Sequence, residues 1–237
     1  MAIKHRFWEV DFIRGLAVLG MIAYHFFFDL SFFTGLNLPI FTGPLFLLAR
    51  LTAMTFILLT GISTALLFNQ LVSMKIGYQK ILTVLIKRAG HIFIWALIIT
   101  GITYILFPRE FIYFGILHFI SVSLLLIIPF LFIKNRLLLF ALGLIFIYLG
   151  QVTKNSIAQA PPSLDYFPIF PWFGLVVLGL AVGRDYLRWR PLLIPIGYQP
   201  NRFFTFTSLL GRHSLSIYLA HQPILIIFLT LYRQLSH

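Results

Sequence analysis

The sequence contains no cysteine. That excludes disulfides, a thiol nucleophile and thiolate metal sites, and leaves the redox compartment undetermined. Charge is scarce too: 10% of the 237 residues are Asp, Glu, Lys or Arg, while 60% are hydrophobic. A soluble domain carries about 25% charged residues, so too few charges remain here to cover an aqueous surface. The outside is expected to face lipid, and the mean hydropathy of +0.96 agrees. Acidic residues are scarcest, six against 18 basic, giving a formal charge of +12. Positive charge in a membrane protein collects in its cytoplasmic loops, so this excess calls for no nucleic-acid partner. A serine nucleophile motif, a glycine-rich phosphate loop and any metal-ligand spacing of the HExxH kind are also missing, so no metal is expected. Neither a repeat nor a low-complexity linker divides the chain, and residues 1–237 are expected to form one transmembrane domain.

What the sequence has in abundance is long apolar runs. A bilayer-crossing helix takes about 20 mostly apolar residues. Seven candidates follow, at about 10–33, 44–68, 88–107, 113–133, 137–153, 171–186 and 213–232. Pro108 closes the third, Pro171 suits the first turn of the sixth, and Pro223 is expected to kink the seventh. The fifth is short enough to be tilted or partly re-entrant. The apolar stretch after Lys4 and Arg6 is long for a signal peptide and ends without a small-residue cleavage site, so it is expected to remain as the first span. With the N-terminus inside, the inner segments hold Lys4, Arg6, Arg14, Lys75, Lys80, Lys87, Arg88, Lys134, Arg136, Arg184, Arg188, Arg190, Arg202 and Arg212. The outer segments hold Arg109, Lys154 and Arg233, and Arg50 falls within a span. The fold expected is therefore an all-α polytopic helix bundle of about seven spans, N-in and C-out, in the inner (plasma) membrane. Trp8, Tyr113, Trp172, Trp189 and Tyr232 sit at proposed span ends, where aromatic rings anchor.

Ionisable groups inside hydrocarbon cost about 3 kcal/mol or more each, so each asks for a reason. On the first span Asp11, Arg14, His25 and Asp29 fall within a sector of roughly 60°, so that face is expected to point into protein. His25 lies roughly 16 Å beyond Arg14, past the midplane. Asp29, one turn further, is expected to hold its imidazole in one tautomer. Asp11 and Arg14 read equally as an interfacial pair. Arg50 and His118 reach a depth similar to His25. An ion pair to Asp29 and a bond to a nearby carbonyl are their structural alternatives. On the seventh span Ser214, Tyr218 and His221 share a face. His91 reads as interfacial, and the Gly179/Gly183 pair as a helix-packing device. The basic inner ends at Arg88, Arg184 and Arg212 could receive the phosphates of a cytoplasmic cofactor. Taken alone, these features permit an enzyme acting across the membrane, a proton-coupled transporter or flippase using His25 and Asp29, or a lipid-binding protein.

The stretch from Glu9 to His25, with Asp11, Arg14, Gly15 and Leu16, resembles the first span of the membrane acetyltransferases related to lysosomal heparan-α-glucosaminide N-acetyltransferase, their short bacterial relatives in particular. Similar stretches are Phe56 to Ala65, Phe114 to His118, Phe170 to Gly174 and Ser214 to Pro223. Arg14 and His25 also match the Arg-x10-His spacing of acyltransferase-3-like membrane proteins, whose histidine is taken as catalytic. The resemblance implies transfer of an acetyl group from cytoplasmic acetyl-CoA to an acceptor on the outer side, a sugar or glycoconjugate hydroxyl or amine. His25 would be the general base, oriented by Asp29. Arg14, with Arg88, Arg184 and Arg212, would serve the cofactor. Arg50, His118, Tyr218 and His221 would bind the acceptor or the oxyanion. The expected partners are acyl-CoA, the acceptor and the lipid bilayer, with homo-oligomer formation left open.

Overall fold

The computed structural model describes residues 6–153, 161–194 and 198–235. Lys4 and Lys154, which entered the charge asymmetry, lie outside the described residues. The all-α expectation holds: among the described residues, β-structure is confined to one isolated bridge between Phe114 and Tyr166.

Helix α1 covers Trp8–Thr34 and stops at Gly35, whose positive φ of 72° lets its N–H reach the Ser31 carbonyl. Helix α2 covers Gly43–Ser73 and α3 covers Tyr78–Leu106. The third helix starts ten residues before the expected position 88, because the apolar face carried by Ile81, Leu85 and Ala89 continues through the basic residues between them. Lys80 and Lys87 are therefore helical rather than part of a loop. The fourth expected span divides into α4, Ile116–Leu126, and a 3₁₀ turn, Ile128–Phe132. Pro129 supplies the break, since it has no N–H and disfavours α geometry in the residue before it. Helix α5 covers Arg136–Val152, capped by the Asn135 side chain on the N–H groups of Leu137 and Leu138. Helix α6 covers Ile169–Arg184, with extended geometry at Phe170, so its regular part begins at Pro171 as expected. The stretch after it, expected to lie inside, contains two further helices that the apolar pattern did not announce, α7 at Tyr186–Leu193 and α8 at Arg202–Arg212. Helix α9, Ser214–Leu235, carries Pro223 inside it.

Helices α1, α2, α3 and α9 are long and apolar enough to cross a membrane, and α4, α5 and α6 are shorter apolar helices. All seven expected spans are thus apolar helices, four of them of full crossing length.

The chain forms two compact units, residues 1–56 with 197–237, and residues 57–196. In the first, α8 lies against the opening turns of α1. Gly15 faces the Thr207 carbonyl and Gly211 the Asp11 carbonyl, each too close for a Cβ atom. Ser208 Oγ donates to the Trp8 carbonyl at 3.0 Å. Phe12 and Phe204 pack nearby with ring centres 4.8 Å apart and planes tilted by 54°. Beyond this crossing α9 packs along the rest of α1. In the second unit α5 and α6 meet through Gly143 and Gly174. The later half of α2 meets α6 where Gly179 approaches Leu58 and Gly183 approaches Ile62, the close packing expected of that pair. Ile57, Phe119, Leu139, Val176, Val177 and Leu180 form its dry centre.

Candidate active site

Four polar side chains of the first unit converge where α1 meets α9. His25 and His221 bring their rings to 4.8 Å between centres, 67° from coplanar. His25 Nδ1 lies 2.9 Å from the Met21 carbonyl one turn back, and His221 Nδ1 lies 2.6 Å from the Tyr218 carbonyl. A carbonyl only accepts, so each ring carries its proton on Nδ1 and, when neutral, presents Nε2 as an acceptor. His221 Nε2 is buried with no hydrogen-bond partner among the described residues. Tyr218 stands next to it, ring centres 5.6 Å apart.

Asp29 is buried, 4% exposed, and its partner differs from the one its spacing suggested. The Gln222 amide donates to both carboxylate oxygens, at 3.0 and 3.2 Å. His25 is oriented by the Met21 backbone instead, which its own helix supplies at i−4. Gln222 was missed by the sequence reading because it lies about 100° around α9 from the Ser214–Tyr218–His221 face. The signal that could have found it is the carboxylate: a buried Asp needs a donor, and Gln222 is the amide at matching depth. With its amide nitrogen committed to Asp29, Gln222 leaves its oxygen buried and without a partner among the described residues. The cluster therefore offers acceptors: two imidazole Nε2 atoms, one amide oxygen and a carboxylate.

The remaining candidates are distributed as follows. Arg50 lies on α2 in the same unit with its guanidinium 5.0 Å above the Phe46 ring, an exposed cation–π contact. Arg14 donates to Asp11 at 2.9 Å, and Asp11 also holds Arg6 at 2.7 Å and Arg212 at 3.5 Å. Asp11 is 4% exposed and serves three guanidinium groups at once, so this end of the unit keeps surplus positive charge. In the second unit Arg184 donates to the Phe130 and Leu131 carbonyls, which ties the end of α6 to the 3₁₀ turn. Arg88 is half-buried on α3. His118, on α4 of that unit, has both ring nitrogens engaged. Nδ1 accepts from the Gly115 N–H at 3.3 Å, and Nε2 lies 3.2 Å from Thr100 Oγ1, which donates to the Ile112 carbonyl. The same corner is closed by Asp165, which accepts the Ile116 N–H at 2.8 Å. No group of three or more His, Cys, Asp or Glu able to hold a metal occurs among the described residues.

Residues 6–223 match the family described as heparan-alpha-glucosaminide N-acetyltransferase, catalytic. Neither a curated protein nor a solved structure matches the chain.

Proposed function

We propose that this chain, which belongs to the heparan-alpha-glucosaminide N-acetyltransferase catalytic family, acetylates an amine-bearing acceptor at the His25–His221 cluster. Membership makes it a membrane acetyltransferase. The donor, the base and the side from which the acceptor arrives are our reading. The observation that carries it is the pair of imidazoles whose Nδ1–H groups are both spent on helix carbonyls. That leaves His25 Nε2 free in role to take a proton. An acceptor-only cluster also favours a ligand group rich in N–H donors, and a sugar or glycoconjugate amine supplies more of these than a hydroxyl does.

In this reading acetyl-CoA is a co-substrate that comes from the cytoplasm. Its phosphates would be drawn to Arg14 and Arg212 of the first unit; Arg88 and Arg184, also expected to serve the cofactor, belong to the second unit. His25 Nε2 removes a proton from the acceptor nitrogen as that nitrogen bonds to the thioester carbonyl carbon. The carbon–sulfur bond then breaks, and the CoA sulfur leaves as the thiol after taking the proton back from His25. Holding both reactants in one shielded cleft lowers the entropic part of the barrier. His221 Nε2 and Gln222 Oε1 would bind the acceptor's remaining N–H groups, and Asp29 would offset the charge of an acceptor that arrives as an ammonium, which releases one proton to water before the neutral amine attacks. Arg50 and Tyr218 stand as candidates for the tetrahedral oxyanion. His118, expected to bind the acceptor, belongs to the second unit, and its nitrogens already hold the start of α4. With the N-in, C-out orientation expected from the basic residues, the acceptor would arrive from the outer side.

The test is acetyl transfer from labelled acetyl-CoA to an amino sugar by protein reconstituted in lipid, with CoA binding measured separately. Wild-type transfer that disappears in His25→Ala while CoA binding persists is the expected result. A protein that does not bind CoA, or whose transfer is unaffected in His25→Ala, overturns the reading. Proton-driven flux in place of transfer would revive the transporter alternative, which the family match does not favour.

A further inference from the structure

Helix α8 is amphipathic the wrong way round for water. Its buried face is small and polar, Thr207, Ser208 and Gly211, pressed on α1. Its outward face is Phe203, Phe206 and Leu209, exposed by 59%, 60% and 48%. Three large apolar side chains on one outward stripe are stable only where hydrocarbon meets them. The helix crosses α1 at the latter's opening turns, between Trp8 and Gly15, so the stripe lies at the level of a membrane interface. The two ends of α8 are Arg202 and Arg212, roughly 15 Å apart along the axis, with no charge between them. Around them Arg6, Arg14, Arg202 and Arg212 face two acids, Glu9 and Asp11, and no acid occurs anywhere after Asp185. Beside the helix runs an open groove of about 390 Å³, walled by Trp8, Pro200, Phe206 and Leu209, with Arg202 and Arg212 also lining it.

We infer that this groove seats an anionic phospholipid, its phosphate on Arg202 and its acyl chain along Phe206 and Leu209. Charge complementarity selects the headgroup, because a surplus of guanidinium groups gains from an anionic lipid and gains nothing comparable from a zwitterionic one. The apolar walls select a lipid over a soluble phosphate, which would leave Phe206 and Leu209 facing water. The occupant is thus part of the membrane and not the acetyl donor, and the inference stands apart from the reaction proposed at His25.

Native mass spectrometry of the detergent-solubilised full chain, titrated with phosphatidylglycerol or phosphatidylcholine, decides the matter without any transfer assay. The expected result is a tightly retained phosphatidylglycerol, at least tenfold preferred over phosphatidylcholine. Arg202→Gln should weaken it about fivefold, the factor one basic residue near an anionic surface is worth, and Arg202→Lys should restore most of it. Phe206→Ser should weaken phosphatidylglycerol as well. Thermal melting confirms that each variant is folded, and Arg202 is exposed enough for its loss to be tolerated. Equal retention of the two lipids overturns the inference, as does indifference to Arg202→Gln. Displacement of phosphatidylglycerol one for one by CoA would also overturn it and make the groove a nucleotide site.

Discussion

His25 and His221 face each other across α1 and α9 with ring centres 4.8 Å apart, and each gives its Nδ1–H to a carbonyl of its own helix. Two neutral imidazoles so arranged present only acceptors to each other, and together they can hold one additional proton between them. That makes the pair suited to taking a proton from an acceptor and returning it to a leaving group. A positioned general base contributes about 10²–10⁴-fold. His25→Ala should therefore lower acetyl transfer by that range, and His221→Ala by a smaller factor, about tenfold, through acceptor binding. Transfer rates over a range of acceptor concentrations separate the two: His25→Ala lowers kcat, and His221→Ala mainly raises KM. Equal effects on kcat would assign the base role to the pair instead of to His25.

The Asp29–Gln222 contact gives a second, independent prediction. Replacing Gln222 with Leu leaves a buried carboxylate without its donor, which costs about 1–3 kcal/mol. Gln222→Leu should melt several degrees below wild type in detergent, while Gln222→Asn, which keeps an amide, should fall between the two. Asp29→Asn combined with Gln222→Leu should recover part of the loss, because the neutral amide is cheaper to bury than the unpaired carboxylate. If the double variant melts lower than Gln222→Leu alone, Asp29 has another partner that the charge serves.

How far these features were readable from sequence differs by kind. The apolar helices were legible because lipid imposes long uninterrupted runs, and the polar face of α1 because ionisable groups are rare enough within such runs to be noticed. The division of the fourth span at Pro129 was less visible, since its flanking residues are as apolar as a continuous helix. Helix α8 was hidden for the opposite reason. It is only 11 residues long, flanked by basic residues, and its pattern resembles a loop until its small residues are set against α1. At the site, local periodicity placed Asp29 one turn from His25 and suggested a bond between them. The backbone of the same helix was nearer to the imidazole, and the true partner of Asp29 came from a segment 193 residues away, a pairing that spacing along one helix does not encode.

The crossing of α1 and α8 predicts an asymmetry among glycines. A Cβ at Gly15 would strike the Thr207 carbonyl and one at Gly211 the Asp11 carbonyl, both backbone atoms that cannot swing aside. Gly15→Ala and Gly211→Ala should each destabilise by about 1–3 kcal/mol or more, the usual cost of overpacking. Gly90 and Gly101 sit in α3 with nothing within 4 Å of an added Cβ. There alanine should be neutral or stabilise by about 0.5–1 kcal/mol, since helical glycine is entropically costly. Melting temperatures of the four variants check this, and a loss at Gly90 or Gly101 equal to that at Gly15 would mean that helix packing is not the cause.

The last prediction concerns pH and the corner of the second unit where Asp165 meets the start of α4. Asp165 lies outside the apolar helices, caps the start of α4 through the Ile116 N–H, and sits against the backbone at Gly115. Burial pushes its carboxyl up from the ordinary 3.8 to about 6, against the opposing pull of the Ile116 hydrogen bond. A carboxyl whose folded pKa is raised binds its proton more readily in the native state than in the unfolded one. Its contribution to stability is thus fully present below about 3.8, declines as pH rises, and is gone above about 6. The protein should lose stability across that window relative to Asp165→Asn, which cannot titrate and can still accept the Ile116 N–H through its amide oxygen. The measurement is the difference in melting temperature between wild type and Asp165→Asn at pH 4, 5, 6 and 7, because the subtraction cancels every other titrating group. A difference that shifts in the variant's favour as pH rises supports the assignment; a flat difference means that the Asp165 pKa is the same in the folded and unfolded chain, and a shift the other way means that the capping hydrogen bond outweighs the burial.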